Sequence, residues 1–130
     1  MDYTIRYDEA MNVVVVRTSG KMEMRDFPNL VDDIVVELQS RKSACLLADH
    51  SDSSATELET QDIKRMSGLA QRLSEVLRDR QFAVVLKEDV DYGLGRMWQT
   101  LTDEDVPFEI SVFRTVDKAQ EWLPGSGRQG

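Results

Sequence analysis

The chain has 130 residues, enough for one ordinary domain with its own core, and its 41% hydrophobic content suffices to build that core. Its 24 acidic against 16 basic side chains leave a net charge of −8 with no Lys/Arg cluster, so the surface repels polyanions and carries neither a nucleic-acid footprint nor a docking face for anionic membranes. The single cysteine, Cys45, excludes a disulfide-stapled secreted scaffold; residues 1–6 lack a signal-peptide pattern and no apolar stretch is long enough for stable membrane insertion, so the expected location is the cytoplasm.

Tyr3, Ile5 and Tyr7 alternate with Thr4, Arg6 and Asp8, the period of a half-buried strand. After a short turn, Val13 to Val16 read as a strand covered on both faces, ended by Gly20. The short link predicts an antiparallel hairpin. Asp26 is a candidate cap and Pro28 suits a first turn, opening a helix whose apolar stripe is Phe27, Leu30, Val31, Ile34 and Leu38. Ala44 to Ala48 is a third strand ending in Asp49, and the polar, acidic stretch from His50 to Glu59 reads as a loop. Thr60 is expected to cap the longest helix, striped by Ile63, Met66, Ala70, Leu73 and Leu77, with Asp62 favourably placed in its first turn. Phe82 to Leu86 form a fourth strand. A third helix is expected from about Tyr92 to Leu101, a fifth strand over Phe108, Ile110 and Val112, and a last helix capped by Thr115 and stopped by Pro124 and Gly125. The pattern predicts an α/β fold: a five-stranded, mostly parallel sheet with its first strand antiparallel, packed with four helices through right-handed crossovers. One domain is expected over 1–123, followed by a flexible tail at 124–130.

The element order, the strand ending Leu46-Leu47-Ala48-Asp49, the glycine-bearing helix Gly93-Leu94-Gly95-Arg96-Met97 and the closing run from Val112 to Leu123 resemble the SpoIIAA-like family. These are small bacterial proteins similar in fold to the STAS anti-sigma-factor antagonists and to Sec14-type lipid-binding domains. The resemblance spans about Tyr3 to Leu123 and implies a non-enzymatic regulatory role. STAS antagonists carry a phosphorylatable serine after the third strand, at a helix N-terminus. The resemblance places Asp52, Ser53 and Ser54 there as a phospho-switch loop, although no glycine follows the serines and the next helix is expected only near Thr60.

Physical chemistry weighs each candidate against a plainer reading. A phosphoryl group at Ser53 or Ser54 would add nearly two negative charges beside Asp49, Asp52 and Glu57 and expel a partner, yet Ser and Asp are also ordinary turn residues. Asp49, His50 and Asp52 mix ligand types suited to a divalent metal or to a hydrolase or transferase, but one imidazole in the whole chain is a thin basis for either, and neither a metal nor a cofactor is expected. Gly93-x-Gly95-Arg96 opens a helix after a strand, where backbone N–H groups receive anions. It lacks the third glycine of a dinucleotide fingerprint, and Glu88, Asp89 and Asp91 would repel phosphate; close helix packing is the plainer explanation. Met97 and Trp98, with Met22 and Met24, suit either a core or an apolar ligand cleft that also takes in Gly93, Gly95 and Arg96. Cys45, mid-strand, reads as inert. The expected function is a STAS-like protein-interaction module with a protein partner. The alternative is a module binding a small apolar ligand near the third helix. A homodimer is expected because twofold self-association is common.

Overall fold

A computed structural model describes residues 1–125. Strand β1 (Asp2–Asp8) half-buries Tyr3, Ile5 and Tyr7 and exposes Asp2, Thr4 and Arg6. The chain reverses through Asn12, which adopts the left-handed conformation (φ 56°) that asparagine tolerates, while Asp8 accepts a hydrogen bond from the Met11 N–H. Strand β2 (Val13–Lys21) returns antiparallel to β1, with Asp2 opposite Ser19 and Asp8 opposite Val13. Every later pairing is parallel: β2 with β3 (Cys45–Ser54), β3 with β4 (Gln81–Val85) and β4 with β5 (Glu109–Phe113). Spatial order therefore equals sequence order.

Right-handed crossovers that always step the same way lay their helices on one face of the sheet. That face carries α1 (Phe27–Gln39), α2 (Thr60–Ala70), α3 (Ser74–Leu77) and α4 (Asp89–Thr102), packed on Val14, Val16, Leu46, Ala48, Phe82 and Val84. The alternate side chains Val13, Val15, Cys45, Leu47, Ala83 and Val85 form a smaller core with Ala119 and Leu123 at the last helix, α5 (Val116–Trp122). The Thr115 hydroxyl caps α5, accepting the Lys118 N–H at 3.2 Å. The double-sided burial explains why β2 and β4 read as apolar on both faces.

Several elements depart from expectation. The stretch from His50 to Ser54, expected as loop, continues β3, because β2 extends past Gly20 and pairs with it to the end: Ser19 lies opposite Asp52, Gly20 opposite Ser53 and Lys21 opposite Ser54. The Met22 N–H then donates to the Ser54 carbonyl at 2.8 Å. The helix expected over 60–77 is broken by a tight 3-10 turn, Gln71–Leu73, which separates α2 from α3 while keeping Leu73 and Leu77 buried. Its cap is Glu59, not Thr60: the Glu59 carboxylate accepts the Asp62 N–H while the Asp62 carboxylate accepts the Glu59 N–H at 3.0 Å, a reciprocal capping box. Asp26 makes no cap bond. Its carboxylate instead lies 3.4 Å from the Met1 ammonium, and a 3-10 turn, Met24–Asp26, leads into α1. Helix α4 starts at Asp89 rather than Tyr92, which puts Asp89 and Asp91 in the first turn, where the helix dipole favours them. No helix among the described residues is long and apolar enough to cross a membrane. Of the tail expected at 124–130, only Pro124 and Gly125 fall within the described residues.

Candidate functional site

The site grows from an irregularity in one strand pair. Arg17 lies opposite Asp49 and Ser19 opposite Asp52, so one residue, Thr18, faces two on β3, His50 and Ser51. This bulge resets which side chains share a face. On the face away from the crossover helices, Asp49 and Asp52 both reach Arg17, at 3.5 and 3.3 Å. Asp49 also accepts the Ser51 N–H at 2.9 Å. On the helix-covered face, the Thr18 hydroxyl sits 2.6 Å from His50 Nδ1 and 2.5 Å from Ser53 Oγ.

The bulge dismantles the cluster considered for metal or acid/base work. Asp49 and His50 are consecutive in a strand and leave on opposite faces, and both carboxylates are engaged by a guanidinium. Among the described residues no group of three or more His, Cys, Asp or Glu side chains is placed to hold a metal ion. Burial pushes the His50 imidazole down to about 4, with Asp49 opposing only in part, so the ring is neutral near pH 7.

His50 faces a cavity of about 100 Å³ between the sheet and α1, α2 and α4. Its floor is Val16, Ala48 and Val84 from three adjacent strands; Phe27, Leu30 and Ile34 of α1 and Ile63 and Met66 of α2 close over it. The walls are apolar apart from the Trp98 indole N–H and two deeply buried side chains, His50 (8% exposed) and Asp91 (3% exposed). Asp91 Oδ1 accepts the Ala55 N–H at 3.2 Å, which ties α4 to the segment following β3.

A solved structure shares this architecture. The crystal structure of an anti-sigma factor antagonist from Mycobacterium paratuberculosis matches with a TM-score of 0.61 over 94% of this chain and 94% of that chain, at 21% sequence identity. The chain has the antagonist's fold. No family model matches the sequence, and no curated protein matches it.

Within that STAS-like fold the sequence candidates separate. Ser53 and Ser54 sit on the last two positions of β3, well before α2 begins at Thr60, so neither lies at a helix N-terminus. Ser53 is turned inward to Thr18, whereas Ser54 Oγ lies at the surface, 3.0 Å from Thr56 Oγ1, and Asp52 is exposed. Of the cleft candidates, Met22, Gly95 and Trp98 line the cavity. Met22 is only 2% exposed although its neighbours in sequence are polar, because Met22 follows directly on the β2–β3 pairing. Trp98 stands edge-on to Phe82 with ring centres 5.7 Å apart.

The remaining cleft candidates lie elsewhere. Met24 borders a shallow polar groove with Lys21, Arg25 and Glu57. Gly93, Arg96 and Met97 are exposed on α4, and Arg96 is 3.4 Å from the Tyr92 hydroxyl rather than poised over a helix N-terminus. Gly95 serves close packing: a Cβ there would run into Leu86 Cδ1 and stand 3.2 Å from Val112 Cγ1. Cys45 is buried in the smaller core, with its Sγ 3.2 Å from Gln81 Oε1, and burial pushes its thiol up. Sequence reasoning missed Asp91 as a cavity residue and weighed His50 with Asp49 and Asp52, which leave the strand on the other face; the available signal was one-sided, Leu46 and Ala48 before His50 and Leu94 and Trp98 after Asp91.

Proposed function

We propose that the chain is a non-enzymatic regulatory module that acts in the cytoplasm by binding a protein partner. The fold supports this reading: it is shared over 94% of the chain with a protein named as an antagonist of an anti-sigma factor, itself a protein. The partner face we favour joins the end of β3, the segment from Ala55 to Glu59 and the outer side of α4. The Ala55–Asp91 hydrogen bond holds these pieces side by side. Val90, Met97 and Leu101 are exposed at 66%, 37% and 40% and recur at helical spacing, so they form one apolar stripe on α4. Exposed Glu57 and Glu59 belong to the Ala55–Glu59 segment of this face, which suits a partner with an apolar centre and a basic edge.

Asp52, Ser53 and Ser54 form the switch in this reading. A phosphoryl group on the more accessible Ser54 would add nearly two negative charges beside Glu57 and opposite Lys21, and would compete with the existing Lys21–Glu57 pair, 3.4 Å apart. On Ser53 it would also break the contact with Thr18. The test is to identify the partner by cross-linking in the native host, purify it, and titrate it calorimetrically against the wild type, Ser53→Asp and Ser54→Asp. At least a tenfold loss of affinity in one variant is expected. Unchanged affinity in both removes the switch, and failure of the purified pair to associate removes the protein-binding reading. Native mass spectrometry of the same samples tests the proposed homodimer and whether residues 1–123 suffice as one domain.

A further inference from the structure

We propose that the cavity beneath α1, α2 and α4 binds a small neutral amphiphile, a benzene-sized apolar body carrying one hydroxyl group, with His50 and Asp91 supplying its polar contacts. Three observations carry this. The first is size. Interiors pack with few voids larger than a water molecule, whereas this cavity, at about 100 Å³, approaches the volume at which an apolar site accepts a single aromatic ring. Met22 and Met66 on its wall are flexible enough to adjust to such a ring, and Met66 is only partly buried, at the rim.

The second is the lining. Leu, Ile, Val, Phe and Met side chains supply nearly all of the wall, so a ligand that leaves water for it must be mostly apolar. The third is the pair of polar groups set into that wall. His50 uses Nδ1 on Thr18, and Asp91 uses Oδ1 on the Ala55 N–H. His50 Nε2 and Asp91 Oδ2 make no hydrogen bond within the described residues, and neither atom is sealed off: among those residues no side-chain nitrogen or oxygen is both fully buried and unpartnered, so both keep an accessible face. Set into an otherwise apolar wall, they offer the spare hydrogen-bonding capacity that a ligand in the cavity can use.

The chemistry of the two groups selects the ligand's polar end. A carboxylate only accepts, and a neutral imidazole offers one donor or one acceptor at Nε2, so a hydroxyl, which both donates and accepts, suits either. An anionic ligand is repelled by Asp91. An ammonium would have to shed its hydration in an otherwise apolar site with too few acceptors for its three protons. The proposal stands apart from the protein-partner reading, since the chain alone suffices to bind such a ligand. It also places the ligand one hydroxyl, that of Thr18, away from Ser53.

The test uses the full chain with four probes of one size: phenol, toluene, benzoate and benzylamine. Binding is followed through the His50 ring resonances, which are unambiguous because the chain has one histidine. Saturable one-to-one binding of phenol is expected at a dissociation constant of roughly 0.1–1 mM, at least fivefold tighter than toluene, with benzoate and benzylamine weaker still. Asp91→Asn should weaken phenol about tenfold and leave toluene unchanged. Ala48→Val, which places extra carbon in the cavity floor, should weaken both probes at least tenfold; if that variant does not fold, competition between phenol and toluene on the wild type gives the same evidence for a shared site. Toluene binding as tightly as phenol overturns the hydroxyl reading, benzylamine binding tighter overturns the neutral class, and no saturable shift with any probe overturns the site.

Discussion

Acidification offers a direct reading of the buried imidazole. In the folded chain His50 protonates only near pH 4, because burial withholds water from the charged ring; in the unfolded chain it protonates near 6.5. The folded-state value is the depressed one. Above pH 6.5 neither state binds the proton and His50 has no effect on stability. As pH falls from 6.5 to 4 the unfolded state takes the proton first, and the fold loses stability throughout that window; below 4 both states are protonated and the loss is complete. The displacement of about 2.5 units corresponds to roughly 3 kcal/mol, a large share of the 5–15 kcal/mol typical of a domain. Carboxylates also titrate nearby, so the measurement is a difference: urea unfolding of the wild type and of His50→Gln at half-unit steps from pH 3.5 to 8. The wild type should lose about 3 kcal/mol more than the variant between pH 7 and 4, with no further divergence below. Titration of the His50 Cε1–H resonance in the folded protein supplies the independent value. A midpoint near 6.5, or parallel stability profiles, refutes the reasoning.

Two further predictions concern stability alone. Gly93 and Gly95 share a helix but meet different surroundings: a Cβ at Gly93 meets nothing within 4 Å, while at Gly95 it strikes Leu86 and crowds Val112. Gly93→Ala should therefore stabilise by about 0.5–1 kcal/mol through helix propensity, and Gly95→Ala should destabilise by about 1–2 kcal/mol net, because overpacking outweighs the same propensity gain; urea midpoints moving the same way would contradict the packing account. Arg80 Nη1 lies 2.7 Å from the Val76 carbonyl oxygen at the end of α3 and 3.2 Å from that of Ala44, so Arg80→Met, which keeps the aliphatic stem, should cost about 1–3 kcal/mol in chemical denaturation.

The strands and the helical stripes were legible because burial leaves a period in the sequence: two for β1 and β5, none for the doubly covered β2 and β4, and 3.6 for α1 and α2. The antiparallel start followed from a link too short for a crossover. What was not legible depends on partners distant in sequence. Residues 50–54 look like loop because they lie at the polar end of the sheet, and only the pairing with residues 19–21 makes them strand. The 3-10 turn at Gln71–Leu73 interrupts the helix but not its apolar stripe, which runs on through Leu73 to Leu77. Glu59 gave no cap signal because glutamate is not a favoured cap, and its partner Asp62 completes the box. The cavity was hidden for the same reason as the bulge: its size depends on how three helices seat over the sheet.

The bulge at Thr18 links the two readings of this protein. With regular pairing, Asp49 and Asp52 would leave β3 on opposite faces, and one carboxylate would be driven toward the apolar cavity at a heavy desolvation cost. The extra residue brings both to Arg17 and turns His50 and Ser53 toward Thr18. One backbone irregularity thus keeps the two β3 carboxylates outside, gives the cavity a neutral imidazole, and connects that imidazole through a single hydroxyl to the serine where the switch is proposed. A change at Ser53 and a change in what touches His50 must each be felt at Thr18. If ligand and partner both bind, linkage then requires that each alter the other's affinity by the same factor. Thr18→Val, which keeps the volume and removes the shared hydroxyl, should reduce that factor toward one while leaving each separate affinity within about threefold.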